Sequence, residues 1–212
     1  MAALLLMSCL GAARRESTSP PTAHEARFIA VVARDLSGRF PTVAQARRAG
    51  YFRYTMEDSA GIIAYANLHW NADPRHPSQL WFDERGRLIG ADFSQYVHNR
   101  TKRPVLWQID PVRWTHFFQH VHFGLRSGNL RYGAIYVEKF RAAGGNPEHP
   151  SAAPIIRLGL AKSTKDVRFV FTFPELWVLS FWVIPNPRGA FAETNPNVPT
   201  RHKSVRNPHL PL

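Results

Sequence analysis

The chain has 212 residues, 44% of them hydrophobic, and a domain of this size buries roughly 70% of the surface its unfolded chain exposes. Twenty-seven basic against 15 acidic residues give a net charge of +12, yet the arginines are scattered. They stand as Arg47-Arg48, Arg85/Arg87, Arg100-Thr101-Lys102-Arg103 and Arg201, Lys203, Arg206, and no basic helix face or aromatic-basic stripe marks nucleic acid as the partner. A single cysteine, Cys9, excludes an internal disulfide and a Cys-based zinc site.

Residues 1–21 form an apolar tip and a polar tether. Met1 to Ser8 is apolar and ends in a small residue before Cys9. Leu6-Met7-Ser8-Cys9 resembles a bacterial lipobox, in which the Cys is lipidated after cleavage. The Pro/Ser/Thr-rich stretch from Arg14 to Pro21 suits a tether behind such an anchor. The expected location is therefore the cell envelope or outside the cell, with a membrane tether through Cys9; the alternative is a cytoplasmic protein. The run lacks a basic start and is short against the about 7–15 apolar residues of a signal core. Leu176 to Ile184 is apolar but far below the ~20 residues that span a bilayer.

A single domain is expected over residues 22–198. Thr22-Ala23-His24-Glu25 is a capping box opening an amphipathic helix with Phe28, Ile29, Val32 and Leu36, and Gly38 suits its stop. Thr42-Val43-Ala44-Gln45 repeats the pattern before a short helix ending at Gly50. Ile62 to Trp70 alternates, with Tyr65, Asn67 and His69 on one face. Gln79–Phe82 and Arg87–Phe93 predict a hairpin around Asp83-Glu84-Arg85-Gly86. Asp110-Pro111 reads as N-cap and first residue of a third short helix.

Gln119–Arg126 and Leu130–Glu138 predict a second hairpin, and Val167–Phe173 with Leu176–Ile184 a third, turning at Pro174-Glu175. The last two strands are apolar on both faces and belong in the middle of a sheet. Residues 141–156 and 185–212 read as loop and tail, with 199–212 a basic tail. The pattern is α+β: a mostly antiparallel sheet of six or more strands, with short helices, mainly N-terminal, on one face.

Chemistry concentrates in Trp114-Thr115-His116-Phe117-Phe118-Gln119-His120-Val121-His122-Phe123, which holds three of the ten histidines. On an extended strand Val121, Phe123 and Leu125 point into the core, and His120 and His122 point the other way. Two imidazoles at i and i+2 can share a metal ion if a third ligand joins them. His116 is one candidate, Asp92 the first carboxylate and His69 a further one. Such ligands suit Zn²⁺, Fe²⁺, Mn²⁺ or Ni²⁺. The opposing view has His120 and His122 on a half-exposed face, bonded to Tyr132 and Tyr136. No HExxH, nucleophile elbow, phosphate loop or dinucleotide fingerprint is present. Glu57-Asp58 reads as a solvated loop pair.

Pro77-Ser78-Gln79-Leu80-Trp81-Phe82 with Gly86-Arg87-Leu88-Ile89-Gly90-Ala91-Asp92-Phe93 resembles a segment of a family of uncharacterised bacterial secreted proteins. Phe181-Trp182-Val183-Ile184-Pro185-Asn186-Pro187-Arg188-Gly189-Ala190-Phe191 with Asn195-Pro196-Asn197-Val198 is similar to its terminal Trp…Asn-Pro-x-Gly-x-Phe…Asn-Pro pattern, and Ala49-Gly50-Tyr51 fits as well. The resemblance implies a secreted or envelope location and no established activity.

The sequence thus points to an exported protein that binds a metal ion or small ligand through its His cluster. The alternatives are a metal-dependent enzyme using the same residues, or an arginine-mediated polyanion-binding protein. Whether it is an enzyme stays open.

Overall fold

The computed structural model describes residues 19–200. The lipobox-like segment with Cys9 and the basic residues 201–212 lie outside them.

Helix α1 (Ala23–Arg39) begins as expected. The Thr22 hydroxyl accepts the Glu25 N–H at 3.1 Å, and the Glu25 carboxylate accepts the Thr22 N–H at 2.8 Å. The helix runs through Gly38 to Arg39, so Gly38 lies in its last turn and Phe40 is the C-cap. In α2 (Val43–Arg48) the Thr42 hydroxyl turns to the Gln45 side chain and makes no bond to the helix backbone. Gly50, at φ +90°, supplies the left-handed residue just past the helix end.

The strands are β1 (Phe52–Arg53), β2 (Ile63–Ala66), β3 (Gln79–Phe82), β4 (Leu88–Tyr96), β5 (Trp114–Phe117), β6 (His120–Leu125), β7 (Tyr132–Tyr136), β8 (Val167–Phe173) and β9 (Leu176–Trp182). Helices α3 (Val137–Ala142) and α4 (Ala152–Arg157) occupy part of the stretch expected as loop. The α+β architecture holds, and its strands divide between two antiparallel sheets. One has six strands in the order β1-β2-β3-β4-β9-β5, the other three in the order β7-β6-β8.

Strand alternation stacks these into four layers. Tyr65, Leu80, Phe82, Phe93 and Phe181 leave one face of the large sheet to pack on Ile29, Val32 and Leu36 of α1. Ala64, Trp81, Val178 and Trp182 leave the other face and meet Phe171 and Phe173 of β8. Val121, Phe123 and Ile135 leave the far side of the small sheet and meet Phe140 and Ile155 of α3 and α4. Both sheets are therefore buried on both sides at their centres, and period-two alternation still decides which layer a side chain joins.

The first two hairpins form as read. Gly86 N–H closes on Asp83 O at 2.9 Å, and His120 stands opposite Tyr136. The third is corrected: β8 pairs with β6, β9 pairs with β4 and β5, and Pro174-Glu175 carries the chain from one sheet to the other. A two-residue link joins stacked sheets as readily as neighbouring strands, and strands apolar on both faces do not distinguish the cases. β9 is central as expected, whereas β8 is an edge strand. The Ile62–Trp70 strand stops at Ala66. Leu68 takes φ 61°, and Trp70 turns into the layer between the sheets. Asp110 caps a single 3-10 turn, Pro111–Arg113, through the Val112 N–H, and strand β5 follows at once.

Candidate functional site

One polar cluster stands within the largely apolar layer between the sheets. From the small sheet, β6 alternation sends His120 and His122 inward, opposite in sense to Val121 and Phe123, as the sequence indicates. Their face is fully covered: His120 is 3% exposed and His122 1%. This replaces the half-exposed face bonded to Tyr132 and Tyr136. The imidazoles instead stack on Phe173 (4.6 Å between centroids, 18°) and Phe171 (5.3 Å, 21°), and Tyr54 meets His122 edge-on at 4.7 Å.

The two rings meet through Nε2 atoms 3.0 Å apart, and His120 Nδ1 lies 2.7 Å from the Phe118 carbonyl oxygen. A carbonyl only accepts, so His120 carries its proton on Nδ1. Its Nε2 is then a lone pair, and His122 Nε2 is the donor in the neutral pair. Burial pulls the His120 imidazole down to about 4, against the smaller opposing effect of the Phe118 hydrogen bond. His120 is therefore neutral at ordinary pH.

From the large sheet, register aligns Ala66, Gln79, Asp92 and Ser180 across β2, β3, β4 and β9. Asp92 accepts from Trp81 Nε1 at 3.0 Å and from the Ser180 hydroxyl. Ser78 bonds Ser94 at 2.6 Å and the Asp92 carbonyl at 3.1 Å. Tyr54 joins the two sides, its ring against His122 and its hydroxyl donating to Gln79 Oε1. Burial, then the charges of Asp92 and Asp58, hold the Tyr54 phenol well above its usual range.

Three of the five expected ligands, His120, His122 and Asp92, thus face the same layer. The other two do not. His116 lies on β5 of the large sheet, with Nε2 2.7 Å from Glu175 and its ring between Phe118 and Trp177. Glu175 also takes Arg100 through two contacts of 2.6 and 3.0 Å, and that bond, with His116, holds its carboxyl below the usual range despite burial. His69 is exposed beyond the end of β2. Among the described residues no group of three or more His, Cys, Asp or Glu is placed to hold a metal ion. Glu57 and Asp58 are buried, contrary to the solvated reading; Asp58 Oδ1 accepts the N–H groups of Ala60 and Ile62 and shapes their turn.

Tyr54, Gln79, Ser78 and Ser180 went unmarked in the sequence as parts of this cluster. Gln79 and Ser180 share with Asp92 one mark, a polar residue in an otherwise apolar strand. Tyr54 carries none, because it reaches the layer from a connection.

Fold and cluster together define an α+β protein of two stacked antiparallel sheets with a polar seam between them. No protein-family model, no curated protein sequence and no solved structure matches the chain.

Proposed function

We propose that this chain binds a divalent metal ion or a small polar ligand between its two sheets, with His120 and His122 as the contacting side chains. The observation that carries the reading is the Nε2–Nε2 approach of 3.0 Å, with His120 Nδ1 tied to a backbone carbonyl. Two imidazole nitrogens each ~2.0–2.1 Å from a tetrahedral Zn²⁺ sit about 3.3 Å apart, close to this spacing. A metal-binding histidine commonly donates its other N–H to a carbonyl, which fixes the ring. Moving the His122 proton from Nε2 to Nδ1 presents both Nε2 lone pairs to one ion. Its remaining positions fall to water or to a small ligand, which makes this a binding protein first. The Leu6–Cys9 motif supports an envelope location for it; acyl labelling of the wild type and not of Cys9→Ser tests that part.

The test is elemental analysis and calorimetric titration of untagged protein, wild type and the His120→Ala/His122→Ala double variant. Near-stoichiometric uptake of Zn²⁺, Fe²⁺, Mn²⁺ or Ni²⁺ by the wild type alone is expected. A His122→Gln variant of unchanged melting profile guards against loss through misfolding. Absence of uptake by the wild type for all four metals ends the metal reading.

A further inference from the structure

We propose that the end of the large sheet around Tyr96, Val105 and Phe118 is a docking surface for an anionic lipid bilayer. The inference is independent of the histidine site. These side chains are 45%, 80% and 50% exposed, and Val105 is the most exposed large hydrophobic residue described. Tyr96 and Phe117 both stand opposite Leu176, so the ends of β4 and β5 flank the start of β9, and Phe118 follows at the rim.

A basic collar surrounds this apolar rim. Arg100 reaches Glu175 and lies 5.9 Å over the Phe118 ring, and Arg103 lies 6.0 Å over Trp177. Lys102 and Arg103 take part in none of the ion pairs among the described residues. From Phe93 to Val137 the one carboxylate is Asp110, and it is occupied in capping Val112. Glu175 offsets Arg100, and the positive charge of the collar rests on Lys102 and Arg103.

The loop that carries Val105 is firmly footed. Trp107 and Gln108 both adopt left-handed backbone, at φ 54° and 55°. Trp107 stacks on Phe28 at 5.3 Å, and its carbonyl oxygen is 3.1 Å from His24 Nε2. Packing Trp107 in this way, half-buried, leaves Val105, two residues earlier, facing outward.

Aromatic and aliphatic side chains at a rim, with cations beside them, match the boundary between acyl chains and anionic headgroups. Val105, the most exposed of the three side chains, is aliphatic and offers a base no ring to stack on, and Arg100 is already engaged by Glu175.

The test uses the full chain with Cys9→Ser, which removes any acyl anchor, in co-sedimentation with vesicles. Binding is expected to phosphatidylcholine vesicles containing phosphatidylglycerol and not to phosphatidylcholine alone. Val105→Asp, and separately Lys102→Glu/Arg103→Glu, should each weaken it about tenfold or more. Arg126→Ala/Arg131→Ala, in the other sheet, should leave it unchanged, and unaltered melting curves show that all variants fold. Absence of phosphatidylglycerol-dependent binding overturns the proposal. So does an equal loss in the Arg126/Arg131 variant, which reduces the effect to net charge, and so does capture by single-stranded DNA that vesicles fail to displace.

Discussion

Glu25 and Arg113, 88 positions apart in sequence, form an ion pair at 3.3 Å whose side chains are 1% and 2% exposed. Glu25 is also the third residue of the α1 capping box, and it accepts the Asp110 N–H at 3.1 Å. Burial alone would raise its carboxyl; bonds from Arg113, Thr22 and Asp110 outweigh that and bring it below the usual value. One carboxylate therefore ties the first helix to the turn that starts β5.

Removing one partner strands the other charge in the interior. Glu25→Ala should lower stability to urea by about 3–5 kcal/mol, and Arg113→Met by a similar amount. The double variant Glu25→Leu/Arg113→Met should recover part of this, because neither charge is then left unpaired. Single variants that unfold at the wild-type midpoint would show the pair to be energetically idle.

The metal-free protein should lose stability as pH falls through the range set by His120. Its folded-state value, about 4, lies below the ordinary 6.5, so the unfolded chain takes up the proton first. The stabilisation is complete above about 6.5, declines between about 6.5 and 4, and is spent below that, a change of about 3 kcal/mol. Thermal melts of wild type and His120→Gln over this range are the check. The variant's slope should be flatter; identical slopes would assign the acid sensitivity to other groups.

Gly90 permits the Trp81 indole to lie flat on the sheet. A Cβ at Gly90 would stand 2.1 Å from Trp81 Cε3. Gly90→Ala should therefore displace the indole and break its 3.0 Å bond to Asp92, at a cost of about 1–3 kcal/mol. A red shift in tryptophan emission together with a lower urea midpoint is the expected result. Unchanged emission would mean that the backbone of β4 yields instead.

Much of this architecture is legible in the residues. The Thr22–Glu25 box, the 83–86 turn and the alternation through Val121 and Phe123 each follow from local rules that the structure obeys. The division into two sheets does not follow. It depends on where β8 and β9 find partners, and strands apolar on both faces carry no mark of which neighbour they take. For the same reason the direction in which His120 and His122 point was readable, while what covers them was not. Phe171 and Phe173 come from a strand about fifty residues later in the chain. His116 illustrates the opposite limit: its closeness in sequence to His120 suggested a shared site, but a new strand in the other sheet begins between Arg113 and His116 and engages it with Glu175.

The passage of the chain from β8 to β9 at Pro174-Glu175 also governs when the protein becomes whole. β8 completes the small sheet, and β9 enters the large one between β4 and β5, with Asp92 opposite Ser180, 88 residues away. A nascent chain that has emerged only as far as residue 166 holds β4 and β5 with no strand between them and β6 with one side bare. Closure of both sheets waits on the same short segment, residues 167–182. Such late, long-range pairing slows folding and leaves sheet edges open in the meantime. A chain built this way keeps both sheets incomplete until residues 167–182 have been made, so neither half can reach its final stability ahead of the other.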